Sequence, residues 1–205
     1  MRETFLVFAS PQIHQAEIDE VVDSLKSGWL GTGPKVKRFQ EDFAAYKGVP
    51  YAAALNSCTA GLHLSCVALK LEPGDEIITT SMTFCATVNA IIHSGATPVI
   101  VDINPDTFNL DPEAIESKIT PRTKAILPVH FAGRACNMEA IMDIAQRHNL
   151  AVIEDCAHAI ETEYKGKKAG TFGDFGVFSF YVTKNVITGE GGMVICSDKD
   201  RIETH

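Results

Sequence analysis

The chain has 205 residues, of which 45% are hydrophobic and 21% charged, a composition typical of a globular protein with a buried core. Its formal net charge of −8 is spread along the sequence without a basic stripe, which argues against a nucleic-acid partner. The sequence contains no apolar run near the roughly 20 residues of a membrane span, and its first residues lack a signal-peptide pattern. We therefore expect a cytoplasmic protein with no nucleic-acid and no membrane partner.

Two amphipathic helices are predicted at the start of the chain. Apolar residues recur at helical spacing over residues 18–25 and stop at Gly28, and a second stripe over residues 36–46 stops at Gly48. We expect residues 1–205 to form one domain, in which residues 1–48 supply N-terminal helices and the rest, residues 49–205, a core of sheet and helices.

Short apolar runs then alternate with helical segments. The predicted strands are residues 51–55, 76–80, 98–103, 124–129, 151–155, 176–181 and 193–197. The predicted helices between them are residues 59–69, 84–93, 112–118 and 138–148. Because parallel strands need such crossovers, the alternation predicts a largely parallel sheet covered by helices. Glycines and lysines in residues 164–174 indicate a tight hairpin or an exposed loop.

The six cysteines are widely spaced and contain no CxxC pair. Most of them lie in apolar segments, where cysteine behaves as a small hydrophobic residue. We expect them to be reduced thiols and expect no metal site.

The first cluster of interest, residues 56–61 (NSCTAG), follows the first predicted strand and leads into a helix. Free amides and the helix dipole make such a place suitable for an anion, and small side chains allow close approach. The alternative is an ordinary helix cap by Ser57 or Thr59 without a ligand.

Two further clusters follow later strands. Asp155 ends an apolar strand and is followed by His158; it is either a site carboxylate paired with a cation or a buried structural acid with a hydrogen-bonded histidine. Lys184 lies beyond another apolar strand, in a loop bounded by glycines, and is either a solvated surface cation or an amine activated near apolar walls.

Parallel strands end at the same edge of a sheet, so these three clusters are expected to converge. A phosphate site, a carboxylate for a pyridine nitrogen and a lysine for an aldehyde carbon are the partners that pyridoxal 5'-phosphate (PLP) requires. A dinucleotide is less favoured, because no GxGxxG follows the first strand.

At these residues the chain resembles the DegT/DnrJ/EryC1/StrS family of nucleotide-sugar aminotransferases, over nearly its entire length. The motifs are GWLGTGPKVKRFQEDF (28–43), NSCTAGLHL (56–64), PGDEIITTSMTFCAT (73–87), GATPVIVDI (95–103), ITPRTKAILPVHFAG (119–133), VIEDCAHAI (152–160) and FSFYVTKNVITGEGGMV (178–194). The resemblance implies a three-layer α/β/α large domain of the aspartate-aminotransferase type, PLP fold type I, with a mostly parallel sheet. Family members are close to twice as long, so the C-terminal small domain is expected to be absent.

The resemblance also implies roles for individual residues. Lys184 would form the Schiff base with PLP, and Asp155 would pair with the pyridine nitrogen. The phosphate and ring contacts would come from Ser57, from the backbone at Thr59 and Ala60, and from Phe84, His158 and Ser179. For Phe84 the alternative is core packing, since it also fits the buried face of its predicted helix.

Substrate contacts are expected from Tyr181 and from Gly31 and Thr32, whose segment Trp29 to Pro34 resembles the family's substrate-side loop. A glycine-rich helix terminus would look similar. Family resemblance implies a homodimer that moves an amino group from glutamate to a keto-sugar nucleotide. Two alternatives remain open: another PLP reaction such as that of a lyase, and a non-catalytic PLP-binding or interaction module.

Overall fold

The computed structural model describes residues 4–5 and 10–202, and for residues 201–202 it describes the backbone only. Its helices are α1 (Gln15–Ser27), α2 (Pro34–Lys47), α3 (Cys58–Ala68), α4 (Ala86–His93), α5 (Pro112–Ile115), α6 (Met138–His148) and α7 (Lys199–Ile202). Its strands are β1 (Tyr51–Leu55), β2 (Glu76–Thr80), β3 (Thr97–Val101), β4 (Thr123–Leu127), β5 (Ala151–Asp155), β6 (Glu163–Tyr164), β7 (Lys167–Lys168), β8 (Phe175–Ser179) and β9 (Gly192–Cys196). Short 3₁₀ turns follow α5 at Glu116–Lys118 and β4 at Phe131–Gly133.

Local sequence signals account for where the helices begin and end. Gly28 and Gly48 adopt left-handed φ values of 74° and 72°, and they end α1 and α2 as predicted. Ser57 and Asn137 cap α3 and α6 by accepting backbone N–H groups with their side chains. The predicted strands and most of the predicted helices form within about two residues of their expected bounds, whereas the helix predicted at 112–118 is α-helical only over Pro112–Ile115 and continues as a 3₁₀ turn.

Seven of the described strands form one sheet in the order β1-β9-β8-β5-β4-β2-β3. β9 runs antiparallel to both of its neighbours, and the other pairings are parallel. Six strands thus share one direction, which confirms the mostly parallel sheet, and their carboxyl ends meet at one edge. β6 and β7 form a separate antiparallel hairpin, which confirms the predicted turn at residues 164–174.

Helices cover both faces of the sheet. On one face, α3 and α4 pack on a core that includes Leu62, Ile91 and Ile153. On the other face, α6 packs on Val152, and α2 packs through Phe43 on an aromatic cluster. The three-layer α/β/α arrangement is confirmed.

The apolar stripe of α1 does not enter this core. None of its residues, all of which are described, is buried, and Val21 and Leu25 are 62% and 61% exposed. The predicted helix therefore forms, but no described residue of this chain buries its apolar side. No helix in the described part of the chain is long and apolar enough to cross a bilayer. All six cysteines fall within the described residues, and Cys58, Cys66, Cys85, Cys136 and Cys156 are free thiols.

Candidate active site

A cavity of about 380 Å³ opens at the edge where the parallel strands end. Asp155 lies at the end of β5, His158 follows it, and Lys184 lies in the loop between β8 and β9; all three line this cavity. The amine reaches the same edge because β8 runs parallel to β5, so the β8–β9 loop begins at the edge where β5 ends.

Asp155 is a buried carboxylate with two hydrogen-bond donors. Its Oδ1 accepts the backbone N–H of Ala157 at 3.1 Å, and its Oδ2 accepts the hydroxyl of Thr87 at 2.8 Å. Burial raises the pKa of Asp155, and these two hydrogen bonds oppose the rise. The site thus contains a desolvated acid whose ionised form gains from any cationic partner.

His158 is electrostatically coupled to both the acid and the amine. Burial and the nearby Lys184 cation lower the pKa of His158, and Asp155 acts in the opposite direction. Its Nδ1 lies 3.3 Å from the backbone N–H of Ala132, so Nδ1 accepts and the ring proton resides on Nε2. The neutral ring can therefore donate through Nε2.

The start of α3 forms part of the cavity wall through Ser57 and Thr59. The Ser57 hydroxyl accepts the Ala60 N–H at 3.1 Å, so Ser57 caps α3 as expected. The Ala60 amide already has an acceptor. Ala60 itself does not line the cavity. The first amides of a helix, here those of Cys58 and Thr59, have no carbonyl partner one turn back and are suited to an anion.

Ser179 extends this polar wall from the neighbouring strand. It ends β8, lines the cavity, and accepts the Tyr181 N–H with its hydroxyl oxygen at 3.4 Å. A Cβ on Gly192, the first residue of β9, would lie 2.3 Å from the Ser57 carbonyl carbon and 2.6 Å from the Cys58 nitrogen. Only glycine lets β9 approach the helix start this closely, and no local pattern around Gly192 indicates this constraint.

Aromatic side chains also line the cavity, among them Phe84 and Tyr181. Phe84 is 76% exposed and lines the cavity from the loop before α4, so the alternative of core packing is wrong. The reason is that α4 begins only at Ala86, which leaves Phe84 outside the buried face of the helix. Tyr181 is 44% exposed and also lines the cavity.

Gly31 and Thr32, predicted to contact substrate, are not brought to this cavity. Gly31 lines a separate groove between α1 and α2. The indole of Trp29 donates from Nε1 to the Thr32 carbonyl at 2.9 Å and packs against Gly33. Their turn is therefore closed on itself by Trp29 and lies apart from the cavity that Lys184 lines. The substrate contact of Gly31 and Thr32 stays a prediction.

On the opposite face of β5, Glu154 is fully buried and engaged by four donors. Its oxygens accept His130 Nε2 at 3.0 Å and the N–H groups of Gly170, Phe172 and Gly173 at 2.7 to 2.8 Å. His130 Nδ1 accepts the N–H of Cys136, so Nε2 carries the ring proton. Although Cys156 also lies near, both ring nitrogens and both carboxylate oxygens are already used, and the cluster is structural.

Residues 11–205 match the DegT/DnrJ/EryC1/StrS aminotransferase family. The chain belongs to this family. It is 52% identical over 199 residues to the spore coat polysaccharide biosynthesis protein SpsC of Bacillus subtilis, covering 97% of this chain and 51% of SpsC. It is 47% identical over 193 residues to GDP-perosamine synthase of Caulobacter vibrioides, covering 94% of this chain and 52% of that enzyme.

Among solved structures, the chain superimposes on the PLP form of the putative sugar aminotransferase Spr1654 from Streptococcus pneumoniae. The TM-score is 0.92 at 38% identity, covering 97% of this chain and 55% of that one. The expected PLP fold type I is confirmed. The chain spans about half the length of the relatives it matches.

Proposed function

We propose that this chain is the PLP-binding part of a nucleotide-sugar aminotransferase that moves an amino group from glutamate to a keto-sugar nucleotide. One observation carries the proposal: Lys184, Asp155 and the start of α3 line the same cavity at one edge of the sheet. PLP is the cofactor of the family, and the site offers an amine, an acid and amide donors in one place.

The residues present fit this cofactor. When bound, PLP supplies an aldehyde carbon for an amine and a ring that takes up the electron pair of a broken C–H bond. Asp155 would face the ring nitrogen and hold its proton. Phe84 would cover one ring face, and His158 would lie beside the ring.

The anionic end of the cofactor fits the start of α3. The amides of Cys58 and Thr59, with the helix dipole behind them, favour a phosphate group there. Hydroxyls of Ser57 and Ser179 lie along the same wall and would supply further donors. The close approach of Gly192 keeps this part of the cavity narrow.

Lys184 has two tasks in this proposal. Its Nζ would bond to the cofactor's aldehyde carbon until the incoming amine of the donor displaces it. The freed amine would then take the proton from the donor's α-carbon and deliver it to the cofactor carbon that had carried the aldehyde, which leaves the amino group on the cofactor. The loop that carries Lys184 is anchored at both ends, since Phe180 N–H donates to the Gly191 carbonyl and Thr188 N–H to that of Phe180. The amine is thereby held at the cavity.

The wider assembly is part of the same proposal. Residues 1–205 would form the PLP-binding large domain, with Tyr181 at the mouth of the cavity contacting substrate. A cytoplasmic homodimer is the expected form, by resemblance to the family.

Borohydride reduction with peptide mass mapping tests the assignment of the lysine. Purified protein incubated with PLP and reduced is expected to carry a pyridoxyl label on Lys184, and Lys184→Ala is expected to lose it. Lys165→Ala, which changes an exposed lysine of the β6–β7 hairpin, is the matched control and keeps the label. A label on Lys165 or Lys167 would refute the assignment.

A second measurement separates the reactions. Incubation with glutamate and a keto-sugar nucleotide should yield an aminated sugar and 2-oxoglutarate, detected by mass spectrometry. Release of ammonia or carbon dioxide without amine transfer would favour a lyase or decarboxylase. A protein that PLP cannot colour would favour the non-catalytic module.

A further inference from the structure

Asp155 is held by a side chain that none of the proposed roles uses. Thr87, in the first turn of α4, is fully buried and donates its hydroxyl to Asp155 Oδ2 at 2.8 Å. The same hydroxyl lies 2.6 Å from the hydroxyl of Thr83, which lines the cavity. Two hydroxyls thus connect the cavity wall to the buried acid.

The direction of these hydrogen bonds depends on the charge of Asp155. An ionised carboxylate only accepts, so the single proton of the Thr87 hydroxyl must point at Oδ2. Thr83 must then donate to Thr87, so the hydrogen bonds run from Thr83 through Thr87 to Asp155 along the cavity wall. Because Oδ1 already accepts the Ala157 amide, both carboxylate oxygens have a donor when the acid is charged.

We propose that Thr83 and Thr87 form a hydroxyl relay that keeps Asp155 ionised and oriented toward the cavity, which makes both threonines positioning residues for the cofactor's ring nitrogen. This inference rests on the proposed function. The relay does not touch the reacting atoms and acts only through Asp155.

Asp155 needs such support because its surroundings disfavour its charge. Burial raises its pKa, whereas the Ala157 amide, the Thr87 hydroxyl and the nearby histidines lower it. The titratable groups that interact electrostatically with it are His130, His158 and the thiols of Cys58, Cys136 and Cys156, and Lys184 lines the same cavity. The amide belongs to the backbone, so the Thr87 hydroxyl is the hydrogen-bond donor that a substitution can remove.

The test compares Thr87→Val, which removes the hydroxyl at similar volume, with Thr87→Ser, which keeps it. Thr79→Val is the matched control, since Thr79 is equally buried but donates to the Leu127 carbonyl and does not contact Asp155. In cofactor-free protein labelled with ¹³C-aspartate, NMR follows the titration of Asp155, whose signal is assigned by its loss in Asp155→Asn.

Thr87→Val is expected to move the Asp155 midpoint to higher pH and to weaken PLP binding by about tenfold, because a hydrogen bond to a charged group is lost. Thr87→Ser and Thr79→Val should titrate like the wild type and bind PLP within about twofold of it. Thr83→Val, which removes only the outer hydroxyl, should move the midpoint in the same direction by less.

A wild-type midpoint in Thr87→Val would overturn the relay, as would an equal shift in Thr79→Val. If Thr87→Val does not fold, Thr83→Val decides alone, and an unmoved midpoint overturns the relay. Failure of wild-type protein to bind PLP would instead refute the proposed function. The titration of cofactor-free protein distinguishes the two failures, because it does not require the cofactor.

Discussion

Two neighbouring acids at the end of β5 have opposite surroundings. Glu154 points to the face covered by the β6–β7 hairpin and its following loop, and four donors engage its two oxygens. Asp155 points to the other face, where it has two donors and lines a cavity. Both are buried, so burial alone does not separate a structural acid from a functional one.

The number of engaged acceptor positions makes the distinction. A carboxylate offers roughly four lone-pair directions, and those of Glu154 are filled by groups of the chain itself. Asp155 retains acceptor capacity toward the cavity, where a ligand's donor can reach it. We call the surroundings of Glu154 the closed side and those of Asp155 the open side.

The largest effect is expected from Asp155→Asn on the open side. The variant should bind PLP but lose at least about 100-fold in amine transfer, because a neutral amide cannot stabilise charge on the ring nitrogen. The free energy of unfolding should not fall, since burial already disfavours the charged acid. Steady-state kinetics and urea unfolding measure the two quantities.

Asp143→Asn is the matched control, because Asp143 pairs with Arg147 on an exposed part of α6. It removes the same charge and should retain turnover. Unchanged turnover in Asp155→Asn would rule out the proposed role of the acid. Asp155 would then be a structural acid like Glu154.

The next largest effect is expected from Glu154→Gln on the closed side. The variant loses the charge that four donors engage, and one of those donors must face an amide N–H instead. We expect the free energy of unfolding to fall by about 3 kcal/mol in urea titrations. The fraction that remains folded should still bind PLP.

Glu163→Gln, at an exposed position of β6, is the control and should unfold at nearly the wild-type urea concentration. If Glu154→Gln unfolded together with this control, the network around Glu154 would not stabilise the fold. If a fully folded Glu154→Gln protein did not bind PLP, Glu154 would belong functionally with Asp155 on the open side.

The smallest effect concerns Lys47, a buried cation near the closed side. Its Nζ donates to the Ile160 and Ala169 carbonyls at 2.8 and 3.0 Å and lies 4.3 Å from the centre of the Phe178 ring. Burial lowers the pKa of Lys47 to about 8, from an ordinary value of 10.5. Between these values the unfolded chain holds a proton that the folded chain has released.

Between pH 8 and pH 10.5, the contribution of Lys47 to the free energy of unfolding therefore rises with pH. The slope is at most roughly 1.4 kcal/mol per pH unit. Cys66 and Cys136 act oppositely at high pH, because burial raises the pKa of each thiol to about 12. The free energy of unfolding of Lys47→Met is therefore subtracted from that of the wild type at each pH, which cancels the contribution of the thiols because both proteins contain them. Lys118→Met, at an exposed position, is the control; the same slope in both differences would contradict the assignment.

The sequence predicted the sheet and its functional edge because both follow from local patterns. Apolar runs gave the strands, and polar residues such as Asp155 stood just after them. The contact of Thr87 with Asp155 was not predictable, since it depends on how α4 packs against β5. His130 was not singled out either, because a histidine in an apolar segment carries no local sign of a partner 24 positions away.

Two features of the described structure depend on packing and could not be read from local pattern. Phe84 was predicted to contact the cofactor ring, and the alternative of core packing is excluded only because α4 begins at Ala86 and leaves the ring exposed. Gly31 and Thr32 match a substrate-side motif, and that motif did not indicate that the Trp29 indole folds onto their turn. Periodicity and motifs indicate whether a residue lies in a helix, a strand or a turn. Which side chain it contacts depends on how separate segments of the chain pack together.

The place of β1 in the sheet has a consequence for biosynthesis. β1 precedes the other described strands in the chain, yet its partner in the described sheet is β9, about 140 residues later, with Tyr51 opposite Cys196. Until β9 is synthesised, β1 lacks this partner, although α3 can already pack on β5 and β8. A nascent chain stalled before residue 192 would thus leave the hydrogen-bonding edges of β1 and β8 unpaired by β9, and unpaired strand edges favour aggregation.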